Sequence, residues 1–243
     1  LRYRDRTQLL FVDNGSTDNT PALLRQFAAS QPIDVKIIDQ PRPGLSAARN
    51  AGWRAATGDI VLFTDDDCYP ASDLIETVAA CFHNAPIGYL GGRILLYDQE
   101  DYPVTIQPLE RRVDIAPRSF VRAGLIHGAN FAFRRAVLEA IGDFDEKLGA
   151  GTALQCGEDV DILRRASFAG FSGAYDPAPL VFHHHRRRNP ADISKLKAGY
   201  DLGRGAYYVK ALLDARSRST YMKPVLQSVR GYINERNFAA LRR

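Results

Sequence analysis

The chain alternates short apolar runs with stretches of helical periodicity. Residues 8–12 (QLLFV) form an apolar run that ends in Asp13-Asn14-Gly15-Ser16-Thr17-Asp18, which predicts a buried strand and then a loop. Ser16, Thr17, Asp18 and Thr20 are N-cap candidates, and Pro21 suits a first helical turn with Leu23, Leu24 and Phe27 facing inward. Residues 35–39 read as a second strand, 44–57 as a helix stopped by Gly58, and 60–64 as a third apolar strand. Further on, 72–82 has an amphipathic helical pattern, 89–96 and 131–133 read as strands, and 135–141 and 159–169 as helices. Residues 178–182 form another strand pattern. Residues 97–122, with prolines at 103, 108 and 117, predict a long loop beside the site. From Pro190 onward Leu196, Tyr200, Tyr207 and Leu212 recur among Lys and Arg, which predicts helices.

Strands alternating with helices predict an α/β fold with a mixed, mostly parallel sheet flanked by helices and a helical C-terminal extension. Ligands bind such sheets beyond the carboxyl ends of their strands. The loops at 13–20 and 65–67 both lie at such ends, so they belong on one edge of the sheet.

Composition changes this picture only where charge is concerned. The 243 residues are 45% hydrophobic and 25% charged, as in soluble globular domains, and the net charge is +4. Residues 1–182 hold 18 basic and 24 acidic side chains, whereas residues 183–243 hold 14 basic and 4 acidic. The body is acidic and the tail strongly basic. Such a tail suits an anionic membrane or substrate, or is a solvated helix face. The three cysteines, Cys68, Cys81 and Cys156, are odd in number and lack zinc-like spacing, so the expectation is free thiols in a reducing, cytoplasmic setting. No run of 18 apolar residues crosses a membrane, and no stretch reads as a signal peptide.

Three clusters carry chemistry. Asp65-Asp66-Asp67 follows the apolar strand directly, and adjacent carboxylates raise one another's pKa unless a cation neutralises them. Oxygen-rich groups of this kind suit Mn²⁺ or Mg²⁺ with substrate phosphates; the plainer reading is an exposed acidic turn. Gly157-Glu158-Asp159 opens a helix, where acidic side chains either cap it or supply a general base. His183-His184-His185 follows a strand, and alternation puts His183 and His185 on one side, where one can complete a metal shell. The adjoining Arg186-Arg187-Arg188 either steadies a leaving diphosphate or is solvated.

Five motifs occur in order: the residues 12–18 (VDNGSTD), 44–52 (GLSAARNAG), Asp65-Asp66-Asp67, Gly128-Ala129-Asn130 followed by Arg134-Arg135, and Gly157-Glu158-Asp159. Together they resemble the family 2 inverting glycosyltransferases of the GT-A fold, over roughly residues 9–185. The resemblance implies transfer of a sugar from a nucleotide-diphosphate donor, usually UDP-linked, to an acceptor hydroxyl of a saccharide or lipid-linked acceptor. It assigns Asp13, Asn14, Arg42, Arg49, Asp65 and Asp66 to the nucleotide sugar, and Asp65, Asp67 and His183 to Mn²⁺ or Mg²⁺. Asp159 matches the catalytic base, with Glu158 beside it. The expected organisation is a GT-A-like domain over 1–189, lacking a first βα unit, and a basic helical extension over 190–243 that touches a membrane peripherally. A break in the sheet beside the strand at 8–12, or a substitute element, is therefore expected.

Two other classes fit parts of the sequence. A Mg²⁺-dependent phosphohydrolase would use the aspartates but not Gly157-Glu158-Asp159 or the histidines. A binding module for anionic surfaces would use only the tail; the acidic body argues against nucleic acid as a partner.

Overall fold

The computed structural model describes residues 6–240, with side chains described to residue 231. Strand β1 (Gln8–Asp13), helix α1 (Thr20–Ser30) and strand β2 (Asp34–Asp39) form a unit in which β1 and β2 pair in parallel. Helix α2 (Leu45–Ala55), β3 (Ile60–Thr64), the short β4 (Cys68–Pro70), α3 (Leu74–Asn84) and β5 (Tyr89–Leu96) follow. Then come β6 (Val113–Ile115), β7 (Asn130–Arg134), α4 (Arg135–Ile141), α5 (Glu158–Phe168) and β8 (Gly173–His183). Helices α6 (Pro190–Leu213) and α7 (Arg218–Ala240) are the last described elements.

The larger sheet runs β3-β7-β5-β8-β4, with β6 also on β8. Pairing is parallel for β5 with β8 and antiparallel for the short flanking strands. This is the mixed α/β sheet that the GT-A resemblance implies, with helices on it and a helical C-terminal region. Among the described residues β1 pairs with β2 alone and β3 with β7 alone, in two separate sheets. An apolar strand such as β1 belongs between covered faces. Here all six of its residues are only half-buried, and Leu23 and Phe27 of α1 are exposed.

The predicted loop at 97–122 contains more structure than expected. It holds β6, and residue Gln107 bridges to Ile94 of β5. Three residues are too few to show a period, so β6 and β4 had no signal of their own.

The core beneath the sheet is aromatic. Phe63, Phe131, Phe133 and Phe144 meet at ring-centroid separations of 5.1–6.3 Å, mostly edge to face. The C-terminal helices join this same core. Tyr207 and Tyr221 are fully buried, their hydroxyls lie 2.6 Å apart, Tyr207 donates to the Val121 carbonyl, and the Val121 N–H donates to Tyr221. Every buried polar atom of that tyrosine pair therefore has a partner.

Candidate active site

Sheet register assembles the site. Thr64, at the end of β3, pairs with Asn130, which brings Asp65 beside the segment Gly128-Ala129. Cys68 of β4 pairs with His183 of β8, and the His184 N–H donates to the Asp67 carbonyl at 2.9 Å. The acidic loop between β3 and β4 is thus clamped from two sides.

On one side Asp67 meets His183, with Oδ2 and Nε2 3.1 Å apart. His183 is buried, and its Nδ1 lies 3.1 Å from both the carbonyl and the hydroxyl oxygen of Thr105. Burial opposes a charge on this ring, but the Asp67 carboxylate outweighs it and raises the His183 pKa. The same hydrogen bond holds Asp67 below the usual carboxylate range. Release of the Nε2 proton, with Nδ1 still donating to the Thr105 carbonyl, leaves the Nε2 lone pair aimed at Asp67, the arrangement by which a ligating histidine is oriented from behind. Two acceptors then face one gap, which fits a divalent cation bound through nitrogen and oxygen. Cys68 Sγ joins the group, all ligand atoms lying within 4.8 Å of one another. Burial first, then Asp65 and Asp67, push its thiol up to about 12, so it stays protonated and adds no charge.

On the other side Arg49 is the hub. It sits one turn into α2, is 7% exposed, and donates to Glu158 Oε1 at 2.8 Å, Asp65 Oδ1 at 3.1 Å and the Gly128 carbonyl at 3.2 Å. Its guanidinium also lies over the Phe131 ring at 5.2 Å. Residue 128 has to be glycine for this approach, because a Cβ there would stand 2.4 Å from the Arg49 guanidinium. Asp159 follows Glu158 at the start of α5. Its Oδ2 accepts the Gly128 N–H at 3.1 Å and its Oδ1 the Val160 N–H at 2.7 Å.

Three carboxylates share one arginine here. Burial, and then the neighbouring Asp159 charge, raise Glu158 well above the carboxylate range, with Arg49 pulling the other way. Burial also raises Asp159, and Asp65 adds to it while Arg49 opposes. The buried Glu158 Oε2 has no partner. Asp65 influences both Asp159 and His183, so the two sides form one continuous acidic cluster.

Of the residues named from sequence, Arg49, Asp65, Glu158 and Asp159 come together, as do Asp67 and His183. Asp65 turns to Arg49 and stands outside the Asp67–Cys68–His183 group. Asp66 is exposed. Asp13, Asn14 and Arg42 gather instead at the ends of β1 and β2. Asp13 accepts the Ser16 N–H, and Arg42 makes an exposed two-pronged pair with Glu146. Asn14 donates to the carbonyls of Gln40 and Arg42 and accepts the Gly44 N–H at 2.9 Å, fixing the start of α2 and hence Arg49. Of the three imidazole rings, that of His183 meets the Asp67 carboxylate; His184 reaches Asp67 only through its backbone N–H, and the His185 ring turns to the Tyr102 carbonyl.

Three contributors escaped the sequence reading. Thr105, in the proline-rich segment, orients His183. His127 precedes Gly128 and is lowered in pKa by burial and by His183, a sign that it borders the same cluster. Its place directly before Gly128-Ala129-Asn130 was the available signal. The third is α6, which walls the base side. Gly203 touches Cys156 so closely that a Cβ would lie 2.3 Å from its Sγ, and Gly199 meets Gln155 in the same way at 2.4 Å.

Known proteins share both the fold and the pattern. Residues 1–142 match the family model described as glycosyl transferase family 2. A pre-mycofactocin glycosyltransferase of Mycobacterium tuberculosis is 28% identical over 188 residues, covering 74% of this chain and 38% of that protein. The glycosyltransferase AglE of Haloferax volcanii is 27% identical over 210 residues, covering 85% of this chain and 64% of AglE. The chain thus spans less than two thirds of either relative. A mannosyltransferase from Pyrobaculum calidifontis, solved with GDP-Man and Mn²⁺, superposes with a TM-score of 0.68 at 22% identity, over 92% of this chain and 60% of that one. TarS of S. aureus, solved with UDP-GlcNAc, gives 0.64 at 18% identity, over 89% and 60%. These two show the fold. With the family model matched over more than half its length, the chain belongs to glycosyl transferase family 2.

Proposed function

We propose that the protein transfers a sugar from a nucleotide-diphosphate donor, a UDP-sugar first among them, to an acceptor hydroxyl with inversion at the anomeric carbon. The observation that carries this reading is the division of the acidic cluster: Asp67 and His183 face one gap 3.1 Å across, and Asp159 stands beyond Asp65 and Arg49. Asp67 and His183 hold the divalent cation, Mn²⁺ or Mg²⁺, with Asp65 beside them. When bound, that ion supplies Lewis-acid neutralisation of diphosphate charge. Imidazole in the shell favours Mn²⁺ over Mg²⁺.

The chain's own residues do the rest. Asp159 takes the proton from the acceptor hydroxyl as it attacks the face opposite the leaving group. Its raised pKa makes its carboxylate a stronger base toward an alcohol. The Gly128 and Val160 N–H groups hold its two oxygens in place. Glu158 stays locked on Arg49 and keeps the base helix registered against the Asp65 loop. Asp13, Asn14 and Arg42 line the nucleoside end, with Asp66 outermost.

The extension at 190–243 supports a peripheral membrane contact and a lipid-linked acceptor. Leu202, Val209 and Leu213 of α6 are 48%, 58% and 73% exposed and lie within roughly 40° of each other on the helix, opposite buried Tyr207. Met222, Leu226 and Val229 are likewise exposed on α7, beside Lys223 and Arg230. An apolar stripe flanked by cations suits an anionic bilayer surface. No described helix is long and apolar enough to cross a membrane.

The test is product stereochemistry. Proton NMR of the reaction with UDP-sugars should show the product anomer inverted from the donor, and Asp159→Asn should abolish turnover while retaining UDP. Retention of configuration, or full activity in Asp159→Asn, would remove this mechanism.

A further inference from the structure

We infer that a cavity between α6 and the turn after β8 binds a phosphate group carried by the acceptor, through Arg187 and Lys195. The inference rests on the transferase reading above and names a class of acceptor for it. The cavity, of about 290 Å³, is lined by Arg187, Lys195, Asp192, Leu196, Tyr200 and the Gln155–Gly199 contact.

Of the three consecutive arginines, the fold spends one and frees another. Arg188 is engaged by Asp98, Glu100 and Asp101. Buried Asp101 also accepts the Arg186 N–H at 2.9 Å, and Arg186 adopts φ 56°, a left-handed turn that costs a non-glycine residue energy. This pinned turn sends Arg187 the other way, into the cavity. Its Nη1 is buried and has no hydrogen-bond partner, an expensive state for a guanidinium unless a ligand takes it. Among the described residues no ion pair engages Lys195 or Asp192 either. Two cations against one carboxylate leave a positive lining in an otherwise acidic neighbourhood. Leu196 and Gly199 add apolar wall, which leaves room for the organic group of a phosphate ester.

Its position assigns the phosphate to the acceptor. Gln155, three residues before Glu158, lines the cavity together with Tyr200, whose hydroxyl feels Arg187 first and then the charges of Asp159 and Glu158, so the cavity adjoins the base. The Gly199 and Gly203 contacts with Gln155 and Cys156 bind α6 to the residues just before the base helix. Arg187 is also near enough to Asp67 to lower its pKa, so a donor diphosphate is the competing source of the phosphate.

Calorimetric titration separates the sources. With UDP and Mn²⁺ saturating, the donor subsite is filled, and glucose 1-phosphate should bind at least about tenfold tighter than glucose, the scale of one charge-assisted pair. In the Arg187→Ala/Lys195→Ala double variant that ratio should fall below about threefold while UDP affinity stays within about twofold. Equal binding of glucose and glucose 1-phosphate by the native chain would overturn the inference. So would a double variant that loses UDP affinity and keeps the preference for glucose 1-phosphate, because the phosphate would then be the donor's. If UDP and Mn²⁺ do not bind at all, the transferase reading has failed on its own account. The same glucose 1-phosphate comparison without nucleotide then still decides the cavity.

Discussion

Arg49 Nη1 stands 2.8 Å from Glu158 Oε1, and both side chains are almost wholly buried, at 6% and 7% exposure. The pair joins α2 to the first turn of α5 through two residues 109 positions apart in sequence. Through its other nitrogen Arg49 also holds Asp65. The acidic loop and the base helix are thereby set against each other by one guanidinium, which makes Arg49 the hinge of the whole arrangement.

Removing that guanidinium leaves buried carboxylates facing each other. Arg49→Ala should destabilise the fold by about 3–5 kcal/mol, the cost of breaking a buried pair from one side. Arg49→Met combined with Glu158→Gln should recover a large part of it, since the unpaired buried charge is gone. Urea unfolding of the native chain and the two variants checks this; an Arg49→Ala chain as stable as the native one contradicts it.

The raised carboxyl of Glu158 has a consequence for pH. The folded chain keeps this proton above the pH at which the unfolded chain releases it, so the native state binds more protons in that interval. Stability from this group is full below the ordinary glutamate range and declines as pH rises through the raised folded value. Melting temperature without ligands should therefore fall as pH climbs through that interval, and Glu158→Gln should flatten the fall. An unchanged slope in Glu158→Gln would place the titration elsewhere.

The glycine contacts of α6 predict a defect of a different kind. In Gly203→Ala the new Cβ meets the backbone and Sγ of Cys156, so α6 must shift from the residues preceding the base. Overpacking of this sort costs about 1–3 kcal/mol. Turnover should drop more than UDP affinity does, because the donor side lies across the cluster. Equal losses in both would argue against α6 as a wall of the acceptor side.

Membrane contact has its own variant. Replacing Leu202, Val209 and Leu213 by Ser removes the exposed stripe of α6 and leaves its buried face intact. Sedimentation with vesicles of phosphatidylcholine and phosphatidylserine should show binding by the native chain that weakens in high salt. The triple variant should lose it. Undiminished binding by the triple variant would assign it to another surface.

Much of this molecule was legible in the sequence. Long apolar runs such as 60–64 and the helix at 159–169 carry their period openly, and the motif order fixed the family. The break beside β1 was an expectation of the family resemblance, not of the residues around it. What escaped is what depends on register and burial. Cys68–Pro70 and Val113–Ile115 are too short to display a pattern, yet β4 is what brings His183 to Asp67. Arg42 and Arg49 look alike as letters seven residues apart, but one is an exposed surface pair and the other the buried hub. Arg187 cannot be told from Arg186 and Arg188 until Asp101 is seen to pin the turn. The role of Thr105 and the pairing of Tyr207 with Tyr221 carry no local signal; only tertiary contact reveals them.

The central claim is that Asp67 and His183 form a cation site that receives a nucleotide diphosphate, and thermal shift with UDP tests it most directly. Ligand that binds only the native state must raise its melting temperature by mass action. UDP should stabilise the native chain only when Mn²⁺ is present, and Asp67→Asn or His183→Ala should abolish the response. Stabilisation by UDP that is indifferent to Mn²⁺, or undiminished in both variants, would contradict the account.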